Sequence, residues 1–84
     1  MHLTIYTQPN CTYCDQAKAL MKSKDIKYTE VNLNVGQVQV EGANYVPVKE
    51  FREKFPHART LPLILDGRTI IGGFNELQKF LRYD

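Results

Sequence analysis

Cys11-Thr12-Tyr13-Cys14 stands ten residues into an 84-residue chain, at the point where one periodicity gives way to another. Before it, Leu3 and Ile5 alternate with Thr4 and Tyr6, the two-residue period of a strand. After it, Cys14, Ala17, Leu20 and Met21 fall on one helical stripe, with Asp15, Lys18, Lys22 and Asp25 mostly turned away. A CxxC pair where a strand passes into a helix sets two sulfurs within one helical turn. The first sulfur, Cys11, falls at the helix start, where backbone N–H groups and the helix dipole stabilise a thiolate. Cys14, one turn inside, is the more buried of the two. This asymmetry assigns Cys11 to attack and Cys14 to resolve the mixed disulfide, with an external thiol as the other route. Both of the chain's cysteines lie in the motif, so no third thiol competes.

Other readings of the pair stay open on these residues. Two buried cysteines are sometimes small hydrophobes without chemistry. Zinc needs about four ligands, and His2 and His57 lie far from any helix-compatible spacing with the cysteines. A cluster bridging two subunits would need external thiols as additional ligands.

The remaining pattern alternates strands and helices. Pro9 stops the first strand and Asn10 is placed to cap the helix that runs to about Lys24. Ile26 to Leu33 reads as a second strand, completing a βα unit that feeds a parallel, right-handed pair. Residues 34–46 read as a short helix or an irregular loop: Asn34 and Gln37 resemble a capping box, but β-branched residues oppose it. Pro47 suits a first helical position, Val48, Phe51 and Phe55 form one apolar face, and Pro56 ends that helix. Leu61 to Leu65 is an apolar strand, Asp66-Gly67 a hairpin turn, and Arg68 to Ile71 its antiparallel mate. Asn75 is placed to cap a last helix, with Gln78 three residues on and Leu77, Phe80 and Leu81 as its buried stripe. The order β-α-β-(α)-α-β-β-α describes one α/β domain over residues 1–84, a length that supports a modest core.

Composition narrows the function classes. With 43% apolar and 24% charged residues the chain reads as globular. It holds no run of 18 apolar residues to span a membrane and no basic-then-apolar start of a signal peptide. Two cysteines are too few for a secreted disulfide scaffold, so a reducing cytosol fits better. Net charge is +2, with residues 1–42 neutral and the whole excess in residues 43–84. That bias is too mild for a nucleic-acid signature and suits either an ordinary solvated face or an anionic small ligand or partner.

Two further signals accompany the cysteines. Pro62 opens an otherwise apolar strand. A cis Leu61–Pro62 bond would set the Leu61 backbone beside the thiol, free to pair with a bound peptide, whereas a trans bond would merely start an edge strand. Gly72-Gly73-Phe74-Asn75 precedes a helix, and its N–H groups suit either a carboxylate or a plain tight turn. His57 reads as a surface or capping residue.

Together these residues resemble the glutaredoxin family, and especially its small bacteriophage-encoded members. The likeness runs through nearly all 84 residues: the CxxC, then Thr60-Leu61-Pro62 about fifty residues on, the Asp66-Gly67 hairpin, and Ile71-Gly72-Gly73-Phe74 before a closing helix. The resemblance implies a thioredoxin fold, a four-stranded mixed sheet flanked by helices. It implies a glutathione-dependent thiol–disulfide oxidoreductase that reduces protein disulfides and glutathione mixed disulfides, with ribonucleotide reductase among its targets. Cys11 would be the nucleophile and Cys14 the resolving thiol. Tyr13 would flank glutathione, and Leu61 ahead of a cis Pro62 would pair with its cysteine. Arg59 and Thr60 would lie beside its glycine end, and Gly73, Phe74 and Asn75 would receive its γ-glutamyl carboxylate. Glutathione is then a co-substrate, no metal is expected, and the protein is a cytoplasmic monomer binding neither nucleic acid nor membrane.

Three positions depart from the common family pattern. Thr12 stands where many members have proline, Gln8 where many have lysine, and Asn75 where many have aspartate. With Gln8 and Asn75 both neutral, the expectation is either weaker glutathione binding or a larger contribution from Arg59 and Lys49. A redoxin reduced by a flavoprotein reductase is the nearest rival, and an iron–sulfur carrier the rival of another class.

Overall fold

His2–Thr7 form strand β1, and its alternation settles the two faces of the sheet. Leu3 and Ile5 are fully buried on one face, and Tyr6 is buried on the other. Helix α1 (Thr12–Ser23), strand β2 (Lys27–Asn34), strand β3 (Tyr45–Pro47) and helix α2 (Val48–Lys54) follow. Strands β4 (Leu63–Asp66) and β5 (Thr69–Gly72) and helix α3 (Phe74–Arg82) complete the order. The structure is a computed structural model and describes residues 1–34, 45–58 and 60–82.

The strands form one mixed sheet in the order β3-β2-β1-β4-β5. β1 pairs with β2 in parallel, across the helical crossover, and β4 runs antiparallel to both β1 and β5. The α/β mixed-sheet architecture is the expected one, but the sheet has five strands rather than four. The extra strand is β3, which pairs in parallel with Asn32–Asn34 of β2. It is three residues long, too short to display an alternating pattern, and it ends on Pro47 at the sheet edge, where a missing N–H is tolerated. Pro47 accordingly caps α2 from outside, and Val48 is the first helical residue. The short helix or loop expected over residues 34–46 otherwise falls at 35–44, outside the described residues.

Helices cover both faces of the sheet. Ala17 and Met21 of α1 and Leu77 and Leu81 of α3 pack with Leu3, Ile5 and Ile64. On the other face Phe51 and Phe55 join Tyr6, Leu33, Leu63 and Leu65. The rings of Tyr6, Phe51 and Phe55 form a triangle with centroids 5.2–5.3 Å apart. Ile64 faces α1 and α3 while Leu63 and Leu65 face α2, so the period-two pattern of β4 divides its side chains between the two cores.

The α1 C-terminus shows how the chain turns back into β2. Asp25 adopts φ +55, Ile26 N–H donates to the Met21 carbonyl at 2.9 Å, and Asp25 N–H donates to Lys22 at 3.1 Å. This is the paired-bond helix stop usually made with glycine, here made with aspartate.

One polar cluster ties α1 to the sheet a turn beyond Cys14. Lys18 Nζ lies 3.0 Å from Glu30 Oε2 and 3.7 Å from Asp15. Thr7 Oγ1, itself buried, lies 2.8 Å from the same Glu30 oxygen and 3.0 Å from Asn32 Oδ1. Burial works against the Lys18 charge, but the hydrogen bond and charge of Glu30 outweigh it, with Asp15 and Tyr28 adding, so the ammonium holds its proton above the usual 10.5. A lysine value raised by folding contributes stability that is complete below its unfolded pKa and is lost as pH climbs through the folded one. Lys18→Met is therefore expected to flatten the alkaline limb of the stability curve, read as urea midpoints between about pH 9 and about pH 12.

Candidate functional site

The site lies at the end of the sheet where β1 runs out. Pro9 and Asn10 make the turn, and Asn10 takes φ +58, a conformation asparagine tolerates better than most residues. Asn10 was expected to cap α1; instead Cys11 is the cap. Its backbone is extended, its carbonyl accepts the Asp15 N–H at 3.1 Å, and its sulfur accepts the Cys14 N–H at 3.1 Å. With Asn10 left-handed, the extended backbone that a cap requires falls one residue later, at Cys11.

Cys11 and Cys14 are joined as a disulfide. Their surroundings differ as the spacing predicts: Cys14 is 1% exposed and Cys11 is partly open to solvent. A Cys11 sulfur already receiving one N–H at a helix start is placed to carry negative charge when the bond is reduced.

The Leu61–Pro62 bond is cis, and the Leu61 carbonyl oxygen lies 3.9 Å from Cys11 Sγ. A groove of about 280 Å³ opens here, lined by Tyr13, Thr60, Leu61, Pro62, Gly73, Phe74, Asn75 and Glu76. Seven of these are residues singled out from the sequence, drawn from three separate segments of the chain. Tyr13 is 60% exposed and its ring stands 6.1 Å from that of Phe74, centroid to centroid, so the two aromatics wall one side. Arg59 lies outside the described residues.

Two residues of the site were not anticipated. The first is Glu76. Gly73, not Asn75, is the cap of α3: its carbonyl accepts the Leu77 N–H at 2.9 Å, and its own N–H donates to Glu76 Oε1 at 2.8 Å. Asn75 sits inside the first turn. A carboxylate therefore stands next to Asn75, on a side chain that folds back onto the helix start. The spacing Gly73-x-x-Glu76 was the available signal, but glycine lacks the side chain that makes a capping box conspicuous.

The second is Arg52. A smaller cleft of about 150 Å³ on the other side of Leu61 is lined by Gln8, Arg52, Ala58 and Thr60 together with apolar residues of the α2 core. Arg52 projects from the last turn of α2, whereas Lys49, one of the two cations expected to contribute alongside Arg59, is exposed on α2 and lines neither cleft. No sequence signal distinguishes the two cations, since both fall on the charged side of a short helix. Among the described residues no group of three or more His, Cys, Asp or Glu side chains is arranged to hold a metal ion. No described helix is long and apolar enough to cross a membrane.

Comparison with known proteins gives a consistent picture. The Glutaredoxin family model matches residues 3–70. Glutaredoxin 1 of Rickettsia bellii is 32% identical over 77 residues, covering 89% of this chain and 71% of that protein. Glutaredoxin-1 of Gallus gallus is 30% identical over 78 residues, covering 92% of this chain and 70% of that protein. Among solved structures, the buckwheat glutaredoxin–glutathione complex matches with a TM-score of 0.69 at 20% identity, over 96% of this chain and 68% of that one.

Proposed function

The chain belongs to the glutaredoxin family of thiol–disulfide oxidoreductases, and from that premise we propose that it works as a dithiol enzyme reset by glutathione. The observation that supports this most directly is the groove that runs from the Leu61 carbonyl, 3.9 Å from Cys11 Sγ, to the start of α3. In the reduced enzyme the Cys11 thiolate attacks one sulfur of a target disulfide. The target's other sulfur leaves as a thiol, taking up a proton. The Cys14 thiolate then displaces the first sulfur and closes the Cys11–Cys14 disulfide. Two glutathione thiols return the enzyme to its dithiol form and depart as glutathione disulfide.

This reading sets the tripeptide across the two clefts. Its cysteine would lie on the Leu61 backbone as a short added strand. Its γ-glutamyl carboxylate would meet the N–H groups of Phe74 and Asn75, the Gly73 N–H being bonded to Glu76 Oε1, and Tyr13 and Phe74 would flank it. Glu76 would then face the ligand's ammonium group. The glycine carboxylate would reach the cleft of Thr60, Gln8 and Arg52. Arg52→Ala is expected to raise the KM for glutathione about two- to fivefold and leave kcat nearly unchanged, because an exposed cation supplies binding rather than chemistry. Steady-state kinetics at varied glutathione decide it.

The overall reading is tested by turnover of a small mixed disulfide with reduced glutathione and glutathione reductase. Turnover that depends on glutathione supports it. A second reading is favoured by the neutral Gln8 and by the Gly73 N–H already taken up by Glu76: a redoxin reduced directly by a flavoprotein reductase. Reduction by such a reductase with no glutathione turnover would establish that alternative. Ribonucleotide reductase as a protein target, a monomeric state and a cytoplasmic setting belong to the same proposal and rest on family resemblance.

A further inference from the structure

Past Pro62 the groove in front of Cys11 continues into a larger cavity of about 530 Å³, which shares Thr60, Pro62, Gly73 and Glu76 with it. Its apolar walls come from Phe55, Pro56 and Ala58 at the end of α2, Leu63 of β4 and Ile70 of β5. Lys54, His57 and Glu76 supply its polar lining. Ile70 is 55% exposed on the edge strand of the sheet, so a large aliphatic side chain faces water beside a ready-made apolar hollow. The glutathione contacts proposed above touch Thr60 and Glu76 at its mouth and leave Phe55, Pro56, Ala58, Leu63 and Ile70 unused.

We propose that this cavity receives a bulky aliphatic side chain of a polypeptide disulfide substrate, near the cysteine under attack. The inference rests on Cys11 being the sulfur that attacks, and not on glutathione being the reductant. Continuity with the redox site identifies the occupant. Leu61 has its carbonyl 3.9 Å from Cys11 Sγ, and its two neighbours, Thr60 and Pro62, both line the cavity. A chain whose cysteine meets Cys11 and extends along this segment reaches the cavity within about three residues, at a rise of roughly 3.3 Å per residue. A small disulfide has no group to place there. Covering Ile70 and filling the hollow removes apolar surface from water, which favours leucine or isoleucine over serine at that substrate position. The enzyme therefore selects among protein disulfides by the residues flanking them.

The test is single-turnover reduction by the pre-reduced enzyme, without glutathione. The substrates are disulfide-linked peptides with leucine or serine at each of the three positions on either side of the cysteine, with 2-hydroxyethyl disulfide as control. Wild type is expected to reduce a leucine peptide about tenfold faster than its serine counterpart at one or two positions. In Ile70→Asp, and less fully in Ile70→Thr, that preference should collapse to about twofold or less. Both variants alter an exposed side chain and should keep the rate on 2-hydroxyethyl disulfide. Equal rates on all peptides in wild type, or a preference untouched by both variants, would overturn the proposal while leaving the redox reading intact. Failure of wild type on 2-hydroxyethyl disulfide would remove both.

Discussion

Cys11→Ser is expected to abolish disulfide turnover, with a loss on the order of a thousandfold or more, while Cys14→Ser keeps most of the activity on glutathione mixed disulfides. The two sulfurs are covalent partners, yet their environments are not exchangeable. Cys14 is 1% exposed, and no substrate sulfur can approach it in line. Cys11 is partly open, caps α1, and receives the Cys14 N–H at 3.1 Å. A serine hydroxyl at position 11 keeps the cap but has no accessible anion near neutral pH, so the attacking group is lost with little change in fold. A serine at position 14 leaves the Cys11 thiolate and its N–H donor in place. It removes only the intramolecular route by which a mixed disulfide is resolved. External glutathione can still resolve a glutathione adduct, whereas a protein substrate stays trapped on Cys11. The measurement is a parallel assay of the two variants on a glutathione mixed disulfide and on a protein disulfide. Equal loss in both variants on both substrates would show that the cysteines act only as a pair.

The legible and illegible parts of this site divide along physical lines. The CxxC, the apolar stripe of α1, the Asp66-Gly67 turn and the strand around Leu63–Leu65 are each specified by neighbours within a few residues. Period and turn chemistry expose them directly. Whether Leu61–Pro62 is cis was not readable from local residues, since both isomers suit a strand entry. The bond is cis in a segment packed between Cys11 and the start of α3. β3 escaped notice because three residues carry no period, and its pairing with Asn32–Asn34 is a property of the sheet rather than of its own sequence. Arg52 and Glu76 escaped for a similar reason. Each is an ordinary surface charge in a helix, and only the tertiary placement of α2 beside Leu61, and of α3 beside Pro62, brings them to the site. The family model itself ends at residue 70, ahead of Gly72-Gly73 and α3, so the far wall of the groove is known from the fold and from the local chain.

That far wall depends on one backbone conformation, and Gly72→Ala is expected to cost about 2–4 kcal/mol of stability, with a fall in Tm on the order of 10 °C or more. Gly72 has φ +125, a region that residues with a Cβ rarely enter. A Cβ there would also stand 2.7 Å from Glu76 Cγ and 2.9 Å from Glu76 Cβ. These atoms are close to the α3 backbone and cannot swing clear as the end of a long side chain would. Gly67 provides the internal comparison. It has φ +62 but nothing within 4 Å of a built Cβ, so Gly67→Ala should cost only about 1–2 kcal/mol, the strain of the left-handed conformation. Trimming the clashing side chain separates the two contributions at Gly72. The double variant Gly72→Ala/Glu76→Ala should be less destabilised than the sum of its two single variants, because the contact with Cγ disappears while the 2.9 Å contact with Cβ and the backbone strain persist. Strict additivity in urea melts would assign the effect to φ and the Cβ contact, with nothing from Cγ. The same substitution has a functional consequence. Gly72 delivers the chain to Gly73, whose N–H and carbonyl both engage the first turn of α3. If an alanine methyl shifts that entry, the N–H groups proposed for the glutathione carboxylate move away from Tyr13 and Leu61. The KM for glutathione should then rise in whatever fraction of Gly72→Ala remains folded, whereas Gly67→Ala, at the opposite end of the β4–β5 hairpin, should leave it unchanged.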